Sequence, residues 1–427
     1  MRHLPHPVLA RHHRRQSGVA TLLVVMALFF LVSMVAAYAS RNLVFEQRTS
    51  ANQYRATQAF EVAEGGVEWA LALLNSGRID GSCAASVDVI NNSFRARYLN
   101  IDAATGVIGP VRWNSPTGSV PLTPSCLRHN DGWACSCPDN AAPLLADPGG
   151  VGTKPAFRVQ FEASTTPGIL RISSTACTAN DDNCLRLARG EGAEAAARLN
   201  VTVALAPALA NAPVAAITAR GQFSIGAAFR VVNEDTAVNG LTVHAGSGFD
   251  LPTAELYTVP GTPPERSTVI DPKLAALTAD RMFVNFFGVS RQSFLHQPTT
   301  LSLTCGGACG TRLRDLIAQS PGRAIWVTDA LDIDSDVAIG SADTPALLVV
   351  NGPVNMSAAG ARITGVVYSQ AAAWTSTGRG TVVGALIAEG DVIGPSAPDV
   401  RYDAAVINRI RLMQGPMLRV PGGWRDF

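Results

Sequence analysis

The sequence predicts an α+β protein: a long N-terminal transmembrane and amphipathic α-helix, then a mostly β exported domain that is β-solenoid-like in its C-terminal third. Three observations predict it. Val19 to Ala39 contain no charged side chain, and Arg2, Arg11, Arg14 and Arg15 precede them without an acid. Beyond residue 76 the chain is rich in Gly, Pro and Asn, and apolar–polar alternation follows at 156–161 and 198–203. Towards the C-terminus a strand–glycine–strand unit recurs about every twenty residues.

The apolar run comes first in the chain. At about 1.5 Å rise per residue its 21 residues make a helix of roughly 32 Å, enough to cross a hydrocarbon core of about 30 Å. Val19, Leu23, Leu28, Phe29 and Ala39 are the expected membrane anchor. The arginines before it hold the N-terminus in the cytoplasm, which sends the bulk of the chain across. A cleaved secretory signal is the alternative, since Ala36-Ala37-Tyr38-Ala39 weakly resembles a cleavage site. The length of the run and the helical pattern beyond it favour a retained anchor. The helix is expected over 19–76, ending at Asn75-Ser76-Gly77, with Gly65-Gly66 as its weak point. Glu61, Glu64 and Glu68 share one face of it, as a contact for a neighbouring subunit or as a solvated face.

Residues 77–205 read as an irregular, disulfide-containing subdomain with strands at 156–161 and 198–203, and residues 206–427 as a mostly β domain. Within the latter, segments starting at Ile325, Leu348, Val366 and Leu386 align, with an earlier echo at Ile217. Such a unit fits one coil of a solenoid, whose neighbours supply its core. A sandwich of antiparallel strands satisfies the same turn spacing.

The eight cysteines all follow the apolar run, which points to disulfides in an oxidising compartment. Proximity favours Cys177 with Cys184 and Cys305 with Cys309, while the full connectivity stays open. Zinc is disfavoured, because Cys135-Ser136-Cys137 leaves one intervening residue where structural sites use two to four. Asp332, Asp334 and Asp336 would share a strand face and offer hard oxygens to calcium, as would Asn180-Asp181-Asp182-Asn183. Neither has a closing glutamate, and an exposed strand face explains the first set equally. No cofactor is expected.

Charge and motif content narrow the function classes. Without residues 1–18 the chain carries 30 basic against 33 acidic residues, so no basic stripe for nucleic acid is expected. Beyond the leader the histidines are His129, His244 and His296, and none sits in a recognisable catalytic signature. There is no nucleophile elbow, no zinc-protease motif and no phosphate-binding loop; Gly152-Thr153-Lys154 is followed by Pro155. The expectation is a chain that is not an enzyme.

Arg14-Arg15-Gln16-Ser17-Gly18 followed by Val19-Ala20-Thr21-Leu22-Leu23 resembles the cleavage site of a type IV prepilin. The resemblance implies a leader of residues 1–18, cut by a prepilin peptidase between Gly18 and Val19, and methylation of the new N-terminus. Most pilins carry glutamate at the fifth mature position, where this chain has Leu23. Ala59–Ala70, Ala212–Ala219, Phe286-Phe287-Gly288, Ile325-Trp326-Val327, the segment from Ile339 to Gly352, and Val400-Arg401-Tyr402-Asp403 extend the likeness to the PilX-type minor pilins. That family implies a subunit that primes a type IV pilus or sits at its tip. Its implied partners are other minor pilins, the major pilin, a large tip adhesin and the inner-membrane assembly platform. Its implied location is the bacterial inner membrane, single-pass with the bulk periplasmic, and then the pilus at the cell surface. A type II secretion tip pseudopilin is the alternative, as is a pilin-anchored protein that binds or acts on carbohydrate.

Overall fold

The computed structural model describes residues 18–115, 118–129, 132–140, 154–179, 185, 195–375 and 377–425. The chain divides into two units, the first ending at Thr57 and the second running from Gln58. Helix α1 (Val19–Leu74) is continuous for 56 residues. In the first unit it is exposed on every side. From Gln58 it becomes amphipathic and buries Ala59, Ala63, Gly66, Val67, Ala70 and Leu74. The spacing of these small and apolar residues makes one stripe on the helix.

That stripe packs on an antiparallel sheet of β5 (Ser125–His129), β6 (Gly132–Ser136), β7 (Ala156–Ala163), β8 (Ile169–Cys177), β9 (Ala196–Leu205) and β28 (Met417–Arg425), in the order β28-β9-β8-β7-β5-β6. Val159, Phe161, Leu170, Ile172, Val201 and Val203 alternate inward and meet α1 in one core. Gly66 allows the close approach, because a Cβ there would overlap the Ser174 hydroxyl and the Phe157 ring. Gly65 has nothing within 4 Å. The glycine pair is therefore a packing requirement on one side only, and the helix passes through it unbroken. Short helix α2 (Phe94–Tyr98), capped by the Ser93 side chain, closes the core. Trp69 contacts Phe94 and Phe157 edge-on, at ring distances of 5.6 and 5.4 Å. The ladders β1 (Leu99–Ile101) with β2 (Ile108–Pro110) and β3 (Arg112–Ser115) with β4 (Gly118–Pro121) complete this part.

Strand β28 corrects the expected division at residues 205 and 206. The C-terminal residues leave the 206–427 group and pair with β9, Met417 opposite Leu205. Asn75 secures that return from the end of α1: its side chain donates to the Met417 carbonyl at 2.9 Å and accepts from the Met417 N–H at 2.7 Å. The 58–427 unit is thus one compact body with the coils inserted between β9 and β28.

The inserted segment is built from parallel strands arranged on three faces. Following the chain, β10 (Ile217–Ala219), β11 (Gln222–Ile225) and β12 (Arg230–Val232) make one coil, and β13 (Val243–Ala245), β14 (Gly248–Asp250) and β15 (Glu255–Tyr257) the next. Strand β16 (Thr268–Ile270) stacks on β13. Helices α3 (Pro272–Ala275), α4 (Ala279–Phe287) and α5 (Arg291–Leu295) then lead to β17 (Thr300–Leu303), and α6 (Gly310–Gln319) follows. The second series runs β18 (Ala324–Val327), β19 (Leu331–Ile333), β20 (Ala338–Ile339), β21 (Ala346–Val350), β22 (Val354–Met356) and β23 (Arg362–Ser369). It ends with β24 (Ala373–Thr375), β25 (Thr381–Ala388), β26 (Asp391–Gly394) and β27 (Asp399–Tyr402), before helix α7 (Ala404–Met413).

Stacking order differs from chain order. The first face reads β16-β13-β10-β25-β23-β21-β18-β17, every pair parallel. The chain enters in the middle, winds to one end, crosses to the other end and winds back. Leu386 consequently lies beside Ile217. The register also corrects the repeat: Leu348 opposes Val367, and Val367 opposes Leu386, so the third unit begins at Val367 and not Val366. A slip of one residue exchanges the two faces of a strand. Here both faces of β23 and β25 are apolar and nearly fully buried, so the composition leaves register ambiguous.

The chain turns a corner of the coil inside β23 and inside β25. Ala338-Ile339 pairs with the first residues of β23, while β21 pairs with those from Gly365 onward. Gly365 (φ 156°) and Gly384 (φ 134°) stand at these corners as cross-strand neighbours.

Candidate functional site

The residues expected to carry assembly are on α1. Gly18 precedes the helix and accepts a hydrogen bond from the Leu22 N–H at 3.1 Å, so Val19 is the first helical residue. The most apolar 18-residue stretch of α1 has a mean hydropathy of 2.8, with none of it buried. Leu23, Leu28 and Phe29 are all more than half exposed within the chain, and Ala39 is exposed as well. Length and composition suit this surface to lipid or to the helical interior of a filament. Arg14 to Ser17 lie outside the described residues.

The acidic face divides. Glu68 forms an ion pair with Arg419 of β28, while Glu61 and Glu64 are exposed.

Among the described residues, three disulfides join Cys83 to Cys137, Cys126 to Cys135 and Cys305 to Cys309. Cys126 and Cys135 oppose each other across β5 and β6. The intervening Ser136 lets Cys137 reach Cys83 in the loop after α1, a pairing that no local spacing signals. Cys177 is disulfide-bonded; its expected partner Cys184 lies outside the described residues, as do Asn180-Asp181-Asp182-Asn183. Opening the Cys83–Cys137 bridge with a Cys137→Ser exchange frees a loop of 54 residues. The expected loss is about 2–5 kcal/mol, read as a lower urea midpoint, and an unchanged midpoint would show that the bridge is dispensable.

The three aspartates do not form one face, because β19 ends at Ile333. Asp332 accepts from the Asn355 side chain at 2.9 Å and Asp336 from the Gly360 N–H at 2.8 Å, while Asp334 is exposed. Two of them thereby tie successive coils together. No group of three or more metal-ligating side chains occurs among the described residues. His244 lies 3.3 Å from Asp271, whose carboxyl is held below its ordinary value mainly by the Lys273 N–H.

The structure also gathers the separated sequence segments. Tyr402 donates to the Pro213 carbonyl at 3.0 Å, joining 400–403 to 212–219. Phe286 and Phe287 pack against Tyr368, and Phe283 of the same helix reaches Trp326. Beside them lies a polar cluster that sequence reasoning missed. Glu389, 3% exposed at its side chain, accepts from the Tyr368 hydroxyl at 2.6 Å and from Arg291 at 2.8 Å. Arg291 also bonds Asp280 at 2.8 Å and lies over the Phe283 ring. Burial raises the Glu389 carboxyl above its ordinary value against the opposing bonds from Tyr368 and Arg291. The cluster fastens the α4–α5 segment to the coils.

Residues 17–68 match the PilX N-terminal family. The N-terminal segment is that of a PilX-type pilin. The match covers the apolar run and most of the helix that packs on the sheet, a helix long and apolar enough to cross a membrane. No curated protein matches the sequence. Among solved structures, the competence-associated pilin ComZ from Thermus thermophilus aligns over 87% of this chain and 98% of its own, at 10% identity and a TM-score of 0.22. At that score the alignment carries no argument. The PilX-type reading rests on the matched segment and on the apolar helix that leads into a β body.

Proposed function

We propose that the chain is a minor pilin: a non-enzymatic, membrane-anchored subunit that helps prime a type IV pilus and sits at or near its tip. The observation that carries this reading is the PilX-type segment over residues 17–68, joined to a large β body. Other pilins would be its neighbours along the helix, with a tip adhesin and the assembly platform as further partners. The apolar half of α1 would hold the subunit in the inner membrane and then enter the filament core.

Leu23 supports the tip placement. A subunit above the first must neutralise the amine of its predecessor, and a buried charge without a partner commonly costs about 3–5 kcal/mol. Leucine at this position supplies no carboxylate, whereas a first subunit has no predecessor to meet. Labelling the protein on intact pili is expected to mark one end, in few copies. Even decoration along the shaft would overturn the tip placement. End-only labelling that persists with unchanged assembly in a Leu23→Glu variant would show that Leu23 is not its cause.

A further inference from the structure

The last turn of α1, helix α2 and strand β1 meet the coil segment and α7 around a cavity of about 240 Å³. Three guanidinium groups line it: Arg95, Arg323 and Arg409. Arg95 spends its donors on neutral acceptors, the carbonyls of Leu74 (3.1 Å), Met413 (3.2 Å) and Gly415 (2.9 Å) and, at 3.5 Å, the Asn75 side chain. Arg323 donates to the Pro298 carbonyl, and its Nε is buried with no hydrogen-bond partner. Arg409 reaches only Asp343, at 3.6 Å, and that carboxylate is 89% exposed. Among the described residues no carboxylate pairs with Arg95 or Arg323.

Two neighbouring, half-buried cations without a counter-ion are costly. Burial and the proximity of Arg323 lower the Arg95 guanidinium to about 10. A second unsatisfied group lies beside the same space. Gln414, one of the lining residues, is 2% exposed, donates its Nε2 to the Pro345 carbonyl at 2.7 Å, and keeps its buried Oε1 without a hydrogen-bond partner. The remaining wall is largely apolar, formed by Leu74, Leu99, Ile101 and Met413 among others.

We propose that this cavity is a binding site for a small organic anion, with a carboxylate or phosphate head held by Arg323 in the positive field of Arg95 and an apolar body against Leu99 and Met413. Half-buried Arg409 on the same wall adds a third positive charge. A bound anion would tie α1, the coils and α7 together, so occupancy and stability are linked. The inference stands on the cavity and is independent of the pilus role.

The test uses the full chain in an uncharged maltoside detergent, with hexanoate, inorganic phosphate and hexylammonium as probes. Titration calorimetry and thermal unfolding should show one saturable hexanoate site and a raised midpoint. Phosphate should bind at least about tenfold more weakly, having no apolar body, and hexylammonium should have no effect. Arg323→Gln should weaken hexanoate about tenfold or more. Arg409→Gln should weaken it less. Absent saturation, an equal response to hexylammonium, or wild-type affinity in both variants would overturn the assignment. Phosphate binding as tight as hexanoate would overturn the apolar part of it.

Discussion

A Gly365→Ala protein is expected to unfold at a markedly lower denaturant concentration. Gly365 has φ 156°, and a Cβ there would overlap the carbonyl of Ala346 in the neighbouring coil. Backbone strain in such a region costs roughly 1–3 kcal/mol. Overpacking against a backbone atom that cannot turn aside adds roughly 1–3 kcal/mol more. The same overlap recurs one coil on, where a Cβ at Gly384 would meet the Gly365 carbonyl. The corner therefore cannot relax by shifting one strand. Gly65→Ala is the comparison, since it lies in a helix with nothing within 4 Å. There the exchange should leave stability unchanged or raise it by up to about 1 kcal/mol. Urea titrations of both variants decide the matter, and a Gly365→Ala midpoint equal to that of Gly65→Ala would refute the corner argument.

Glu389→Ala is expected to cost about 3–5 kcal/mol, because it removes the buried carboxylate of Arg291, leaving it the exposed Asp280, and leaves the Tyr368 hydroxyl without its acceptor in a buried site. Charge and volume separate in Glu389→Gln, which keeps an acceptor for Tyr368. The two variants also differ from wild type in pH response. Burial raises the Glu389 carboxyl above its ordinary 4.5 in the folded chain. The native state thus holds that proton to higher pH than the unfolded chain does. Its contribution is complete below about 4.5 and declines as pH rises through the raised native value. Stability measured across that window should fall less steeply in Glu389→Gln. Parallel curves for wild type and Glu389→Gln would mean that Glu389 does not set the slope.

Local pattern made the helix legible: a charge-free run followed by an amphipathic stripe has one physical solution. The helix ends at Leu74, two residues before the expected stop, and Asn75 acts as an anchor for β28. The parallel coils left a trace as repeated apolar runs, yet the order of stacking left none. Ile217 and Leu386 are neighbours at a sequence separation of 169, and nothing local encodes that pairing. Strand β28 was hidden for another reason. Its Pro421-Gly422-Gly423 interrupts the alternation, and the ladder with β9 shifts register between Arg419 and Trp424 to accommodate it. The aspartates at 332, 334 and 336 misled because alternation marks a face only while the strand lasts. Glu389 looked like one acid among many, and only the convergence of Arg291 and Tyr368 gives it a role.

The coil segment leaves the sheet after β9 and rejoins it through β28, and these two strands are hydrogen-bonded neighbours. Its two attachment points therefore sit side by side, like the two wires of a hanging lamp. Tension arriving along α1 can be carried by the Asn75 clasp and the sheet ladder without being threaded through the coils. Along the row of strands the β16 end lies two strands beyond the entry at β10, whereas the β17 end returns to the close of α1, where Arg78 donates to the Ala318 carbonyl at 2.8 Å and Thr299 and Arg323 share a cavity with Leu74. Lengthening or shortening the stack at the β16 end would therefore change what the chain presents to its surroundings and leave the Asn75 clasp as it is.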